Sequence, residues 1–248
     1  MPRIGLLYPG HSAEDDYPAL ETRLRGRVDP PWELPLVHTS VGEDAHRVDA
    51  LLDLGSRSRL AEGARTLLAE HGPDAVMWAC TSGSFVFGWD GAHRQVRDLE
   101  QLTGRPCSST SLAFVDACRS LGARRVSVVA SYPEDVARAF VDFLAGDRIE
   151  VTALHSNDIV TAAEVGILGQ DDVVRLVRGA DLSGEPDAVL VPDTAMHTLQ
   201  WLGDLEDAVG TTVLTANQVT VWKGLDLLDA VVPVDGLGRL FANQEDRT

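Results

Sequence analysis

The chain has 248 residues, enough for one large domain or two small ones, with 44% hydrophobic and 24% charged residues and a formal net charge of −17. So acidic a chain is a poor partner for nucleic acid or an anionic membrane, and any anion site in it must be built locally. A chain of this length buries roughly 75% of its unfolded surface, so no disulfide or metal staple is required. The three cysteines, Cys80, Cys107 and Cys118, form no C-x-x-C and have no histidine in metal spacing; this fits a reducing cytoplasm and predicts no metal site. No G-x-G-x-x-G opens a helix, so no organic cofactor is expected. The first residues enter a strand at once, with no sign of a signal peptide, and no apolar run is long enough to span a membrane.

In chain order, short apolar or β-branched runs predict strands at 4–8, 33–36, 75–79, 125–130, 150–154, 188–191 and 212–215. Longer amphipathic stretches between them predict helices at 57–70, 92–102, 109–121, 134–145, 171–178 and 196–209. A further helix is expected over 217–227 and a final strand over 230–232. This alternation implies an α/β protein of mostly parallel sheet with helices on both faces.

The second half repeats the grammar of the first. Pro73-Asp74-Ala75-Val76 opens one strand and Pro186-Asp187-Ala188-Val189 another, and in register Cys80 falls on Asp193, each followed by a threonine. Two similar lobes facing each other across a cleft would account for this, each offering one reactive side chain. A common helix-to-strand connection would also give the Pro-Asp-Ala-Val match.

The run from Val76 to Ser84 is the richest in chemistry. A buried strand ends at Cys80 and passes into Thr81, Ser82, Gly83 and Ser84, which read as a turn with free N–H groups. Open α/β sheets bind ligands at the carboxyl ends of strands. A thiol beside oriented donors there is placed to work on an anion, and those donors would lower its pKa. A small buried apolar residue fits the same pattern.

Other segments join these: Ile4-Gly5-Leu6-Leu7-Tyr8-Pro9, Ser108-Ser109-Thr110-Ser111, Ser131-Tyr132, Leu190-Val191-Pro192-Asp193-Thr194 and Ala216-Asn217-Gln218-Val219-Thr220-Val221-Trp222. In this order, and spread over nearly the whole chain, they resemble the aspartate/glutamate racemase superfamily, in its maleate isomerase and arylmalonate decarboxylase branch. The resemblance implies two pseudo-symmetric lobes, here 1–111 plus 219–248 and 112–218, with the active site between them. It implies cofactor-independent chemistry on a small carboxylic acid, and it is compatible with a homodimer. Typical members hold a reactive residue on each lobe, often two cysteines, whereas arylmalonate decarboxylases use one, on the second lobe. This chain has Cys80 on the first lobe and Asp193 on the second, which argues against a symmetric two-thiol racemase. The segment Gly10-His11-Ser12-Ala13-Glu14-Asp15-Asp16 lacks the asparagine that maleate isomerases usually carry near their start, which argues against maleate itself.

Cys80 suits a nucleophile or proton carrier, and Asp193 an acid or base opposite it, or else a helix N-cap. Thr81, Ser82, Gly83 and Thr194 are candidate donors to a substrate carboxylate, with helix capping as the competing role for the hydroxyls. Tyr132 is by resemblance a mobile tyrosine that hydrogen-bonds a carboxylate. Asn217 is either a substrate donor or an N-cap, His11 a polar wall group, and His197 a residue that could orient Asp193. The first reading is a cis-trans isomerase or racemase-like enzyme of a small acid. The second is a cofactor-free decarboxylase of a substituted malonate. The third is a non-catalytic small-acid binding protein.

Overall fold

The computed structural model describes residues 1–10 and 12–242. The first half runs β1 (Ile4–Pro9), α1 (Asp16–Leu24), β2 (Leu36–Thr39), α2 (Val48–Leu54), α3 (Arg57–His71), β3 (Ala75–Trp78), α4 (Ser82–Phe85), α5 (Gly88–Thr103), β4 (Cys107–Ser109) and α6 (Thr110–Leu121). The second runs β5 (Arg125–Ala130), α7 (Glu134–Ala145), β6 (Glu150–Ser156), α8 (Ala162–Gly166), α9 (Gln170–Arg178), β7 (Ala188–Val191), α10 (Leu202–Val209), β8 (Thr212–Thr215) and α11 (Ala216–Asp226). A 3-10 turn follows at Arg239–Phe241. Among the described residues no helix is long and apolar enough to cross a membrane.

Two four-stranded sheets result, ordered β2-β1-β3-β4 and β6-β5-β7-β8, and every strand pair in them is parallel. The order is the same in both, as the sequence repeat implies. The repeated aspartates also do the same work. Asp74 accepts from the Arg3 N–H at 3.0 Å, and Asp187 accepts from the N–H groups of Arg124 and Arg125 at 2.8 and 2.9 Å. Each aspartate thereby ties the start of one central strand to the start of its neighbour. β3 and β7 are buried on both faces, as their unbroken apolar runs require.

Some boundaries differ from expectation. The segment at 33–36 touches β1 from Glu33, but the ladder proper begins at Leu36, because Pro35 has no N–H to give it. The helix expected over 196–209 forms only as α10, because the N–H groups of Ala195, Thr198 and Leu199 are drawn to carboxylates instead of an opening helical turn. The strand expected at 230–232 is absent; these residues follow the turn that ends α11, and Pro233 closes the run. Helices α1, α2, α4 and α8 and strand β4 are additional to the expected elements.

The halves are joined by α11, which is buried all round its first two turns, a pattern that marks a helix end enclosed on every side. It packs on α6, where the Thr110 and Thr220 hydroxyls meet at 2.6 Å and Lys223 reaches Asp116 at 2.9 Å. A second joint lies at Asp16 of α1. One of its oxygens accepts from the N–H groups of Thr198 and Leu199 and from the Asn217 amide, at 2.9, 3.2 and 3.0 Å. Tyr17 donates to the same amide's oxygen at 3.0 Å.

Burial pushes the Asp16 carboxyl up from its ordinary range, against those three hydrogen bonds. An acid held up in the folded state contributes stability in full below its unfolded pKa, and that contribution is lost as pH rises through the folded one. Asp16→Ala should cost about 3 kcal/mol, because three buried donors lose their acceptor. Asp16→Asn keeps an oxygen for them and should cost about 1 kcal/mol or less, with the comparison moving in the variant's favour as pH rises above the ordinary carboxylate range. Urea unfolding of the three proteins at acidic and mildly alkaline pH measures both effects. An alanine variant as stable as the parent would show that this joint contributes nothing.

Candidate active site

Cys80 and Asp193 occupy matching places, each two residues beyond the last residue of a central strand, β3 or β7. Both are about 3% exposed, and both line one cavity of about 260 Å³. Its walls come from both halves of the chain: Tyr8, Ser12, His46 and Ser82 from the first, Ala162, Thr194 and Ala195 from the second.

The turn after Cys80 is not open. Its N–H groups close the single turn α4, with Ser84 and Phe85 both donating to the Thr81 carbonyl. Gly83 donates its N–H to the Cys80 sulfur at 3.3 Å, and the Ser82 hydroxyl lies 3.9 Å from it. These donors favour a thiolate, as the sequence suggested, but burial outweighs them and pushes the Cys80 thiol up to about 12. The Asp193 charge pushes in the same direction. The expectation of a depressed thiol pKa is therefore corrected: unliganded, Cys80 is a neutral thiol. Cys107 and Cys118 are pushed up by burial as well.

The loop bearing Cys80 is held from behind. Gln95 of α5 donates to the carbonyls of Gly55 and Gly83, at 2.8 and 2.9 Å. A Cβ on Gly55 would stand 2.0 Å from the Gly83 oxygen, so the close approach requires glycine there. Gln95 also borders a larger hollow of about 830 Å³ between α3 and α5, which contains neither Cys80 nor Asp193.

Asp193 accepts from the Ala195 N–H at 2.9 Å and from the Ser131 hydroxyl in a short contact. It thus closes its own turn and faces the cavity, but it caps no helix: α10 begins only at Leu202, so the helix N-cap role read from the sequence is corrected. Thr194 lines the cavity, and its carbonyl accepts from the Tyr8 hydroxyl at 2.9 Å. That hydroxyl also takes the Ala13 N–H at 3.1 Å and meets Ser12 at 2.7 Å; its proton is committed to Thr194, so Ser12 is the donor. Tyr8 therefore spans the cleft.

Thr81 and Ser82 are buried beside Cys80, and Ser82 lines the cavity. Tyr132 is buried close to Thr81 and Ser82, with its hydroxyl donated to the Pro192 carbonyl. It must release that carbonyl before it can serve a ligand. Asn217 does not line the cavity. Its amide is used up on Tyr17, Asp16 and the Met196 carbonyl, which makes it part of the interlobe joint. His197 faces Asp15 at 2.7 Å and not Asp193. His11 lies outside the described residues. Among the described residues no group of three or more His, Cys, Asp or Glu side chains is arranged to hold a metal.

Sequence reasoning missed the loop at 40–47. His46 on this loop lines the cavity, donates Nδ1–H to the Ile159 carbonyl at 2.8 Å and sets its ring edge-on to Tyr132, 4.9 Å between centroids. Asp44 accepts from the N–H groups of Ala162 and Ala163 at 2.8 and 3.1 Å. The loop thus crosses from the first half to the second. It has no periodicity to mark it, and a lone histidine in an irregular stretch carries no sequence signal.

Two parallel α/β lobes of like strand order, with a cysteine and a carboxylate at matching strand ends in one cavity, define a two-lobed protein of Asp/Glu racemase-like architecture. Residues 55–241 match the family model described as arylmalonate decarboxylase, and the chain belongs to that family. Maleate isomerase of Geobacillus stearothermophilus is 25% identical over 250 residues, covering 98% of each chain. A cysteine-to-alanine variant of Pseudomonas putida S16 maleate isomerase, solved with maleate, superposes with a TM-score of 0.88 at 21% identity, covering 98% of each chain. Maleate cis-trans isomerase of Nocardia farcinica, as a cysteine-to-serine variant with a covalently bound succinylcysteine intermediate, superposes with a TM-score of 0.85 at 23% identity, covering 97% of this chain and 98% of that one.

Proposed function

We propose that the protein is a cofactor-independent cis-trans isomerase of a small unsaturated dicarboxylic acid, with Cys80 as nucleophile and Asp193 as its proton partner. The observation that carries this reading is the shared cavity of Cys80 and Asp193. The two side chains differ chemically, so the reaction is unsymmetrical: one forms a bond to carbon and the other handles the proton. Binding of the acid brings Cys80 to thiolate as its proton passes to Asp193. The thiolate adds to one alkene carbon, and the π pair moves onto the neighbouring carbon and its carboxylate. Rotation about the new single bond follows. The electrons then return, the carbon–sulfur bond breaks, and Cys80 recovers its proton as the other geometric isomer leaves. The named relatives, and the succinylcysteine trapped in one of them, support the thioether step. Thr81 and Ser82 and, once freed from Pro192, Tyr132 supply donors to the carboxylate on which charge builds.

A cofactor-free decarboxylase of a substituted malonate is the second reading, and the family description favours it. The cavity of about 260 Å³ falls below the ~300–1,000 Å³ usual for drug-sized ligands, which supports a compact acid over one carrying an aryl group. Proton NMR of the protein with maleate and other cis-unsaturated diacids, run beside a carbon dioxide assay with phenyl- and alkylmalonates, separates the two. Conversion to the trans acid without gas release is the expected result. Gas release from a malonate with no isomerisation of any unsaturated acid would replace the first reading with the second.

A further inference from the structure

A dicarboxylate entering this cavity meets an electrostatic problem. Glu43, Asp44 and Asp193 line it, and none of the described lining residues is arginine or lysine. Neutral donors serve the carboxylate at Cys80, but the second charge of a dianion beside these carboxylates is best met by a cation, and only one described lining side chain is able to become one. We propose that His46 is that group: as an imidazolium it receives one substrate carboxylate through Nε2–H, while the other end of the acid lies at Cys80.

The geometry of His46 is suited to the task. Its main-chain N–H is fixed on the Val160 carbonyl at 2.7 Å and its Nδ1–H on Ile159 at 2.8 Å. A carbonyl only accepts, so Nδ1 carries a proton and the neutral ring presents a bare Nε2. That nitrogen makes no hydrogen bond to the described residues, while Tyr132 stands edge-on to the ring and fixes its plane. Glu43 and Asp44 on its own loop are engaged by Arg47 and by the N–H groups of Ala162 and Ala163. From the packed elements, Cys80, Asp193 and Tyr8 line the same cavity and Tyr132 packs against the ring, and the first of these is a neutral thiol. An arriving carboxylate would raise the proton affinity of Nε2, so binding draws a proton from solvent onto His46. Holding one carboxylate at a fixed distance from Cys80, His46 makes the site selective for acids with a carboxylate at both ends.

This inference rests on the proposed function for the placement of the second carboxylate, but its test does not require turnover. The Cys80→Ala protein is titrated calorimetrically with maleate and with succinate in buffers of differing ionisation enthalpy, with and without His46→Asn. Asparagine keeps a donor for Ile159 and loses the distal nitrogen; His46→Gln keeps a distal donor without charge. The expected result is proton uptake on binding and affinity that falls as pH rises from about 5 to about 8, where histidine discharges. His46→Asn should weaken dicarboxylates by about tenfold or more, abolish the uptake and flatten the pH profile, with His46→Gln restoring part of the affinity but none of the uptake. A mono-acid such as acrylate should lose less. Binding with unchanged affinity and proton uptake in His46→Asn would overturn the role of His46 alone. Failure of both acids to bind the histidine-bearing protein would overturn this inference, while the proposed function stands or falls separately on the isomerisation assay.

Discussion

Cys80→Ala is expected to lower kcat on the true substrate by at least about 10³-fold while leaving the fold in place. Alanine cannot form the thioether, and no other described residue in the cavity is a comparable nucleophile. The structural cost is small: the Gly83 N–H loses its sulfur acceptor and a gap the size of one sulfur atom opens, together about 2 kcal/mol. Cys80→Ser should be nearly as inactive, because it restores an acceptor for Gly83 but not an ionisable thiol. The parent protein adds a second arm. Because the Cys80 proton passes to Asp193 within the complex and not to solvent, kcat at saturating substrate should stay nearly flat through the neutral and mildly alkaline range, whereas alkylation of the unliganded thiol, which burial pushes up to about 12, should quicken with pH. NMR time courses give the rates, and thermal melts of both variants check the fold. An alanine variant that still turns over removes Cys80 from the chemistry.

Asp193→Asn is the second large effect. The amide keeps an oxygen for the Ala195 N–H, and the Ser131 hydroxyl can reverse its role from donor to acceptor toward the new NH₂. Stability should therefore change by only about 1 kcal/mol or less. Turnover should drop by about 10²-fold or more, because an amide cannot take and return the Cys80 proton. Its neutral charge also removes one of the influences that hold the thiol up, so alkylation of Cys80 should become faster in the variant even as turnover falls. That opposite movement separates a proton partner from a residue that merely closes its own turn. Unchanged kcat in Asp193→Asn leaves Asp193 with that turn alone.

The alternating architecture was legible because β3 and β7 are buried on both faces and so spell unbroken apolar runs. The repeat was legible because Asp74 and Asp187 perform one tie at two places and so recur with their prolines. The boundaries that failed did so where tertiary contacts override local pattern. The amphipathic stretch at 196–209 reads as a full helix, yet Asp16, some 180 residues away in sequence, captures the N–H groups of its first turn. Cys80 and Asp193 announced themselves by strand-end position. Asn217 shares a motif with them but is consumed by Tyr17 and Asp16. The acidity of Cys80 could not be read at all, since N–H donors are local and visible in sequence while burial is a property of the whole fold. His46 was invisible for the same reason: only the crossing of its loop onto Ile159 and Val160 brings it to the cavity.

Gly55 and Gln95 lie on the far side of the Cys80 turn, facing away from the cavity, yet they set where that turn sits. A side chain at 55 would drive into the Gly83 carbonyl, and Gly83 in turn carries the N–H that touches sulfur. The reactive group therefore has two audiences: the ligand in front of it and a scaffold behind it that never meets substrate. Divergence toward new acids is free to proceed through the front wall, where Val41 and Ala162 line the cavity without being fully buried, while the back wall must stay as it is. Engineering that varies only the lining of the cavity would reshape which acid enters; altering how the thiol is poised requires substitutions on α5 that no docking pose would nominate.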